Sequence, residues 1–257
     1  MIRQNFKIFL GFLSSWAIKK HQIKTIVISG WYGTEITREF TYAVLSTEYK
    51  IRRILSNPTS DLSIPLAILG YKDTRRGWGI WMILILRVIY QLIFGKKQKH
   101  YIVLNINFAR DETVKYWASF IKPAYLIITG YKINYAFIDG LIEKTKENKG
   151  LILYNIKDKD LLKSVLNNYQ KTSSVGINNN KTTLNILENP KSTTFSCLKD
   201  TINVKKGVLP GINNEIIGQC LLIGKIKKID LTESLYAIIK YGLPVRLFSQ
   251  IKNDLKA

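Results

Sequence analysis

The chain has 257 residues, 46% hydrophobic and 22% charged, which supports one sizeable α/β domain or two small ones and excludes disorder for most of its length. Its formal net charge is +21, from 39 Lys and Arg against 18 Asp and Glu. That charge points to a polyanionic partner (nucleotide phosphate, an anionic membrane or nucleic acid) or to a solvated basic surface, and without a helix-turn-helix, RNA-binding or zinc pattern nucleic acid is the least supported.

In chain order, residues 4–20 predict a helix with a basic C-terminal end, which suits the helix dipole. The apolar part of that helix has no small-residue cleavage site after it and holds Lys7, so it does not read as a signal segment. Residues 24–29 (KTIVIS) form a β-branched run expected to be a buried strand, residues 30–33 a glycine-bounded turn, and residues 36–46 a helix. Residues 49–53 predict a second, charged strand, residues 57–63 a loop, and residues 64–69 an apolar run. Residues 78–94 (WGIWMILILRVIYQLIF) predict a strongly apolar helix, short of the roughly 20 residues of a membrane span and interrupted by Arg87. Two readings of it stay open. It packs on the domain, or it lies on an anionic bilayer surface, anchored by Trp78, Trp81 and the lysines of the 96–99 segment.

Strands follow at 100–106, 125–129 and 151–154, with helices at 111–121 and 158–167. Strands alternating with helices imply a parallel sheet covered on both faces. From 172 to 207 the chain is rich in Thr, Asn and Ser, with short alternating strands at 182–187, 194–198 and 202–205, and two helices (215–224 and 231–241) close it. The expectation is therefore an α/β fold: a P-loop-type, mostly parallel sheet covered by helices, with a small antiparallel β subdomain near the C-terminus. One domain would divide into a leader helix (1–24), a nucleotide-binding core (25–170), the small sheet (171–207) and closing helices (208–257). Cys197 and Cys220 form no CxxC pair and His21 and His100 are far apart in sequence, so neither a zinc site nor a disulfide framework is supported, and the setting reads as cytoplasmic.

The strand–glycine turn–helix at 24–46 is the context of a phosphate-binding loop. Such a loop faces backbone N–H groups to phosphate and adds a Lys for the outer phosphates and a Ser or Thr hydroxyl for Mg²⁺. Here it reads Gly30-Trp31-Tyr32-Gly33-Thr34-Glu35-Ile36-Thr37-Arg38-Glu39. Further on stand Asn57, Pro65 and Leu66, then Leu104-Asn105-Ile106-Asn107, the 121–129 run IKPAYLIIT, Tyr154-Asn155-Ile156-Lys157-Asp158, and Leu209-Pro210-Gly211-Ile212-Asn213-Asn214. In this order the segments resemble the central, nucleotide-binding domain of the Mur ligase family, nearest to the branch that adds D-alanyl-D-alanine to the cell-wall precursor. Of the family's domains, those for the UDP-sugar and for the incoming amino acid have no counterpart in the resemblance.

The resemblance implies ATP and Mg²⁺ as cofactors and amide formation through an acyl phosphate, catalysed by positioning and charge stabilisation. It implies cofactor contacts from Gly30, Gly33, Thr34, Glu35, Thr37, Asn155, Asp158 and Asn214, and metal contacts from Glu35 and Asp61. Yet Thr34 stands at the place of the phosphate Lys and Glu35 at the place of the Mg²⁺-binding hydroxyl. Asn105 replaces a metal-binding Glu, and Tyr135 a metal-site His. The loop thus loses a positive charge and gains a negative one, each worth about 4 kcal/mol at a few Å and an effective dielectric near 20 before relaxation. The expectation is a degenerate member with weak or lost nucleotide binding that serves as a scaffold or regulator beside cell-wall synthesis proteins. Two alternatives remain: an active ligase or ATPase with a rebuilt site, and a basic protein bound at the inner face of the membrane through residues 78–99.

Overall fold

The computed structural model describes residues 2–54, 60–72, 78–106, 111–130, 136–158, 169, 171–177, 183–198, 200–205 and 213–241. The order of elements is α1 (Ile2–His21), β1 (Lys24–Ser29), α2 (Thr34–Leu45), β2 (Ile51–Arg53), α3 (Ser63–Leu69), α4 (Trp78–Phe94), β3 (Tyr101–Asn105), α5 (Asp111–Phe120), β4 (Pro123–Ile128), α6 (Ala136–Glu147) and β5 (Leu151–Asn155). Then come β6 (Thr172–Ile177), β7 (Leu184–Glu188), β8 (Ser192–Cys197), β9 (Asp200–Lys205), α7 (Asn214–Ile226) and α8 (Leu231–Tyr241). All nine strands form one sheet in the order β2-β3-β1-β4-β5-β6-β7-β8-β9. Pairs from β2 to β7 are parallel, and β7–β8 and β8–β9 are antiparallel.

The period of a strand explains why the central runs are apolar throughout. In β1, Val27 enters one core while Ile26 and Ile28 enter the other. The same alternation sends Ile102 and Leu104 of β3 to the first core and Tyr101 and Val103 to the second, and divides β4 and β5 likewise. Residues from α1, α3, α4, α5 and α6 complete the first core, and residues from α2, α7 and α8 the second. Both faces of the sheet are thus covered, as a parallel sheet requires.

The mostly parallel sheet with antiparallel strands near the C-terminus is as expected, but those strands extend the main sheet instead of forming a sheet of their own. The link is β6, absent from the sequence reading. Its run TSSVGI is largely small and polar, and what makes it a strand is backbone pairing with β5 and β7. Two helices also went unread as such. The apolar run at 64–69 is a short helix closed by Gly70 in the left-handed conformation, and residues 136–147 form α6. The helix expected at 158–167 lies outside the described residues.

Helix α4 shows how both readings of its sequence arise. Leu84, Val88 and Leu92, at four-residue spacing, are buried against the first core, while Ile80, Met82, Ile83, Leu86, Tyr90, Ile93 and Phe94 are exposed. Phe6 of α1 meets Trp81 edge-on at 5.0 Å between ring centroids. Lys20 donates to the Leu92 and Ile93 carbonyls and so caps the end of α4. Among the described residues no helix is long and apolar enough to cross a membrane.

Candidate functional site

Strand β1 lies between β3 and β4, so the chain leaves it first toward one edge of the sheet and later toward the other. A crevice forms at the carboxyl ends of strands where the order switches in this way, and open α/β sheets bind their ligands there. The β1–α2 turn, residues 30–33, sits at that point. Its backbone is pinned by Trp31 N–H to Gly130 O at 3.2 Å and by Thr129 N–H to Ser29 O at 3.0 Å. Gly33 precedes α2 with φ of +65°, and a Cβ there would fall 2.2 Å from Ile216 Cδ1 of α7. Glycine is favoured there chiefly by the sign of φ, since the close contact is only with the terminal methyl of the Ile216 side chain. Thr37 Oγ1 and Thr37 N–H both donate to the Gly33 carbonyl, at 2.8 and 2.9 Å.

Thr34 opens α2 and is buried, whereas Glu35 is half-buried. Asn105, at the end of β3, is fully buried beside β1. On the far side of the crevice Asn155 ends β5, is buried, and accepts from the Lys157 N–H at 3.0 Å. Asp158 follows it. The N-terminus of α7 brings in Asn213, which caps Glu215 N–H at 2.8 Å through its side-chain oxygen. The buried Glu215 carboxylate pairs with Lys157 Nζ at 3.0 Å.

Tyr32 joins the two sides. Its ring covers Gly130, where a Cβ would come within 2.6 Å of Tyr32 Cε1. Its hydroxyl donates toward Glu215 Oε2 at 3.4 Å and lies close enough to Asn155 for a hydrogen bond. Burial pushes the Tyr32 phenol up to about 12, and the negative charges of Glu215 and Asp158 push the same way against the Asn155 hydrogen bond. The structure therefore gathers Gly30, Gly33, Thr34, Glu35, Thr37, Asn155 and Asp158 around one crevice. Asn214 stands at its rim and points elsewhere, donating to Glu188 Oε1 at 2.7 Å. Tyr135 lies outside the described residues.

Asp61 sits apart from the turn, in a different set of contacts. It accepts from Lys7 Nζ of α1 at 3.0 Å and from the Thr113 hydroxyl of α5, and its backbone carbonyl accepts from Trp117 Nε1 at 2.9 Å. Lys7 also lies 4.4 Å from the centre of the Tyr116 ring. Residues missing from the sequence reading are Tyr32, Lys157, Asn213 and Glu215. Lys157 and Asn213 fall inside segments already singled out and Glu215 directly follows one, but nothing in a linear reading shows Tyr32 reaching across.

A magnesium-bearing triphosphate is a poor match to this arrangement. Asp158 and Glu215 flank Tyr32 in the crevice, Glu35 adds a carboxylate in the first turn of α2, and Lys157 is paired with Glu215. Bringing a triphosphate beside these carboxylates is unfavourable without added cations. No group of three or more His, Cys, Asp or Glu able to hold a metal occurs among the described residues.

Fold and crevice together define an α/β domain with a mostly parallel sheet, its glycine turn lying at the switch point of the strand order. Solved structures that share this fold include Mur ligases. MurF from Acinetobacter baumannii superposes with a TM-score of 0.62 at 15% identity over 93% of this chain and 50% of its own. MurF from Thermotoga maritima, solved in complex with ADP, gives 0.64 at 17% identity over 88% and 51%. In sequence, 69 residues are 36% identical to a UDP-N-acetylmuramoyl-tripeptide–D-alanyl-D-alanine ligase of Borreliella burgdorferi, over 27% of this chain and 15% of that one. No family model matches the chain. The chain spans about half the length of the solved structures and a smaller part of the Borreliella enzyme.

Proposed function

We propose that the chain is a Mur-ligase-like central domain that has given up ATP-dependent amide formation and acts in the cytoplasm as a scaffold or regulator of peptidoglycan synthesis. The observation that carries this reading is the crevice itself. Thr34 and Glu35 replace a cation and a hydroxyl with a neutral group and an anion, and Tyr32 spans the cradle to Glu215. Positioning and positive charge supply nearly all the catalysis in phosphoryl transfer. Removing the cation and filling the space affects both. Asn155 and Asp158 remain near the crevice, so weak adenine-side binding is compatible with the proposal.

The test incubates the purified protein with MgATP, UDP-N-acetylmuramoyl-tripeptide and D-alanyl-D-alanine and follows phosphate release and amide product. The expected result is neither above background. Product at a rate comparable to an intact ligase overturns the proposal and favours the rebuilt active site.

A second reading rests on a separate observation. Seven large apolar side chains of α4 are exposed, Ile8, Phe9 and Phe12 of α1 are exposed, and Lys96, Lys97 and Lys99 follow α4. This supports peripheral binding to an anionic membrane, where apolar insertion and lysine charge add. Sedimentation with phosphatidylglycerol vesicles at low salt tests it, and an unbound protein at every lipid concentration rejects it.

A further inference from the structure

A second cavity lies at the opposite end of the sheet from the glycine turn, by the amino ends of β2 and β3. Its volume is about 290 Å³, and it opens between the end of α1, the last turns of α4 and the segment before β3. Five basic residues line it: His21, Lys50, Arg52, Lys96 and His100. No Asp or Glu appears among the described residues of its wall. By contrast, the buried Arg38 and the partly buried Arg53 share Glu39 as an acidic mate.

Three nitrogens in this wall are buried without a hydrogen-bond partner among the described residues: His21 Nδ1, Arg52 Nε and His100 Nε2. Native proteins rarely leave buried polar atoms unsatisfied, and three around one cavity mark a missing partner; Arg52 Nε is a donor as it stands, and both nitrogens of an imidazole are donors once the ring is charged. Neighbours fix two of the three groups. Arg52 Nη2 donates to the Ile68 carbonyl at 3.0 Å, which orients the guanidinium and leaves Nε over. His100 Nδ1 lies 2.7 Å from the Gln98 carbonyl, so Nδ1 carries the hydrogen and Nε2 gains one only when the ring is charged. Lys50 Nζ donates to Gln98 Oε1 at 2.8 Å and stays at the rim.

We propose that this cavity is a binding site for a phosphate-bearing anion held by Arg52, His21 and His100. A tetrahedral oxyanion offers several acceptor oxygens and negative charge, which suits Arg52 Nε as a donor, the two imidazoles once charged, and a wall of five basic groups. The space exceeds a bare phosphate and fits a small phosphate ester. Burial holds the His21 and His100 rings below their usual range. The facing cations add to this: Lys20 and Arg52 for His21, and Arg52, His21 and Lys50 for His100. An anion reverses that effect, so binding takes up protons and tightens as pH falls.

The experiment titrates the intact chain with inorganic phosphate and with pyrophosphate, at about pH 6 and about pH 8 and matched ionic strength. It reads melting temperature, heat and the histidine ring resonances by NMR. Expected are a melting temperature above that in matched chloride, downfield movement of both histidine resonances on adding phosphate, and affinity about tenfold weaker per pH unit for each proton taken up. Arg52→Gln and, as a milder variant at the rim, Lys96→Gln should each weaken binding, with His100→Gln reducing the pH dependence and His21→Gln combined with His100→Gln removing it. No stabilisation beyond chloride overturns the site, as does a response unchanged in both Arg52→Gln and His100→Gln. A parallel arm uses phosphatidic acid and phosphatidylcholine vesicles. Binding to phosphatidic acid alone that is lost in Arg52→Gln assigns a lipid headgroup, whereas a response to dissolved phosphate without vesicle binding assigns a soluble ester.

Discussion

Restoring the lost charges of the glycine turn should restore nucleotide affinity, and the structure sets the size of the effect. The double change Thr34→Lys with Glu35→Thr moves the turn by two positive units at the N-terminus of α2. In a buried site at about 4 Å each unit carries roughly 4 kcal/mol, and in water about 1. Thr34 is buried and Glu35 only half-buried, so about 1–2 kcal/mol per unit is the appropriate range. The sum, about 2–4 kcal/mol, corresponds to roughly 30- to 1000-fold in affinity. Calorimetric titration with MgADP and MgATP measures it, with Glu35→Gln alone expected to give a smaller part. Salt should erode the gain, since the Debye length at physiological ionic strength is about 8 Å and the Glu35 position is open to solvent. Adding Tyr32→Ala to the double variant should raise affinity again, because the ring leaves Gly130 uncovered. A folded double variant with less than threefold gain, at low salt and with or without Tyr32, refutes the electrostatic account of this crevice.

Four further outcomes follow from the packing of the fold. Gly33→Ala should lower stability by about 1–3 kcal/mol, part from φ of +65° and part from the contact with Ile216 Cδ1. Ile216→Val removes that methyl, so in urea denaturation the double variant should cost less than the sum of the two singles; strict additivity counts against the contact. Glu39→Gln leaves the guanidiniums of Arg38 and Arg53 facing a neutral amide in a site where Glu39 is 4% exposed, and should cost about 3 kcal/mol, with a change under about 0.5 contradicting the pairing. Tyr32 is neutral in the folded chain up to about 12, above its ordinary value of 10. Its contribution is therefore complete below pH 10 and is lost as pH rises toward 12, so wild type should lose stability over that window more steeply than Tyr32→Phe. Parallel slopes would show that the phenol lies outside the burial described. Burial likewise raises the Cys220 thiol to about 12, and a thiol reagent at about pH 8 should reach it only on unfolding.

The sequence by itself determined the elements whose side chains carry their own period. β1, β3, β4 and β5 were legible because a strand buried on both faces is apolar at nearly every central position, and α4 because a mostly apolar run of seventeen residues is too long for a strand. The glycine turn was legible because glycines between a strand and a helix have few other uses. β6 was not, since its residues are small and polar and only pairing with both neighbours makes them a strand. Nor was the part played by Tyr32: its side chain stays 38% exposed, and only folding sets Gly130 beneath its ring and Glu215, 183 residues away, before its hydroxyl. Asp61 illustrates the same limit from the other side, since its chain position says nothing of Lys7 on α1 or Thr113 on α5. Local pattern is written in consecutive residues, but the charge balance of a crevice is a sum over residues that only the folded sheet brings within a few ångströms of one another.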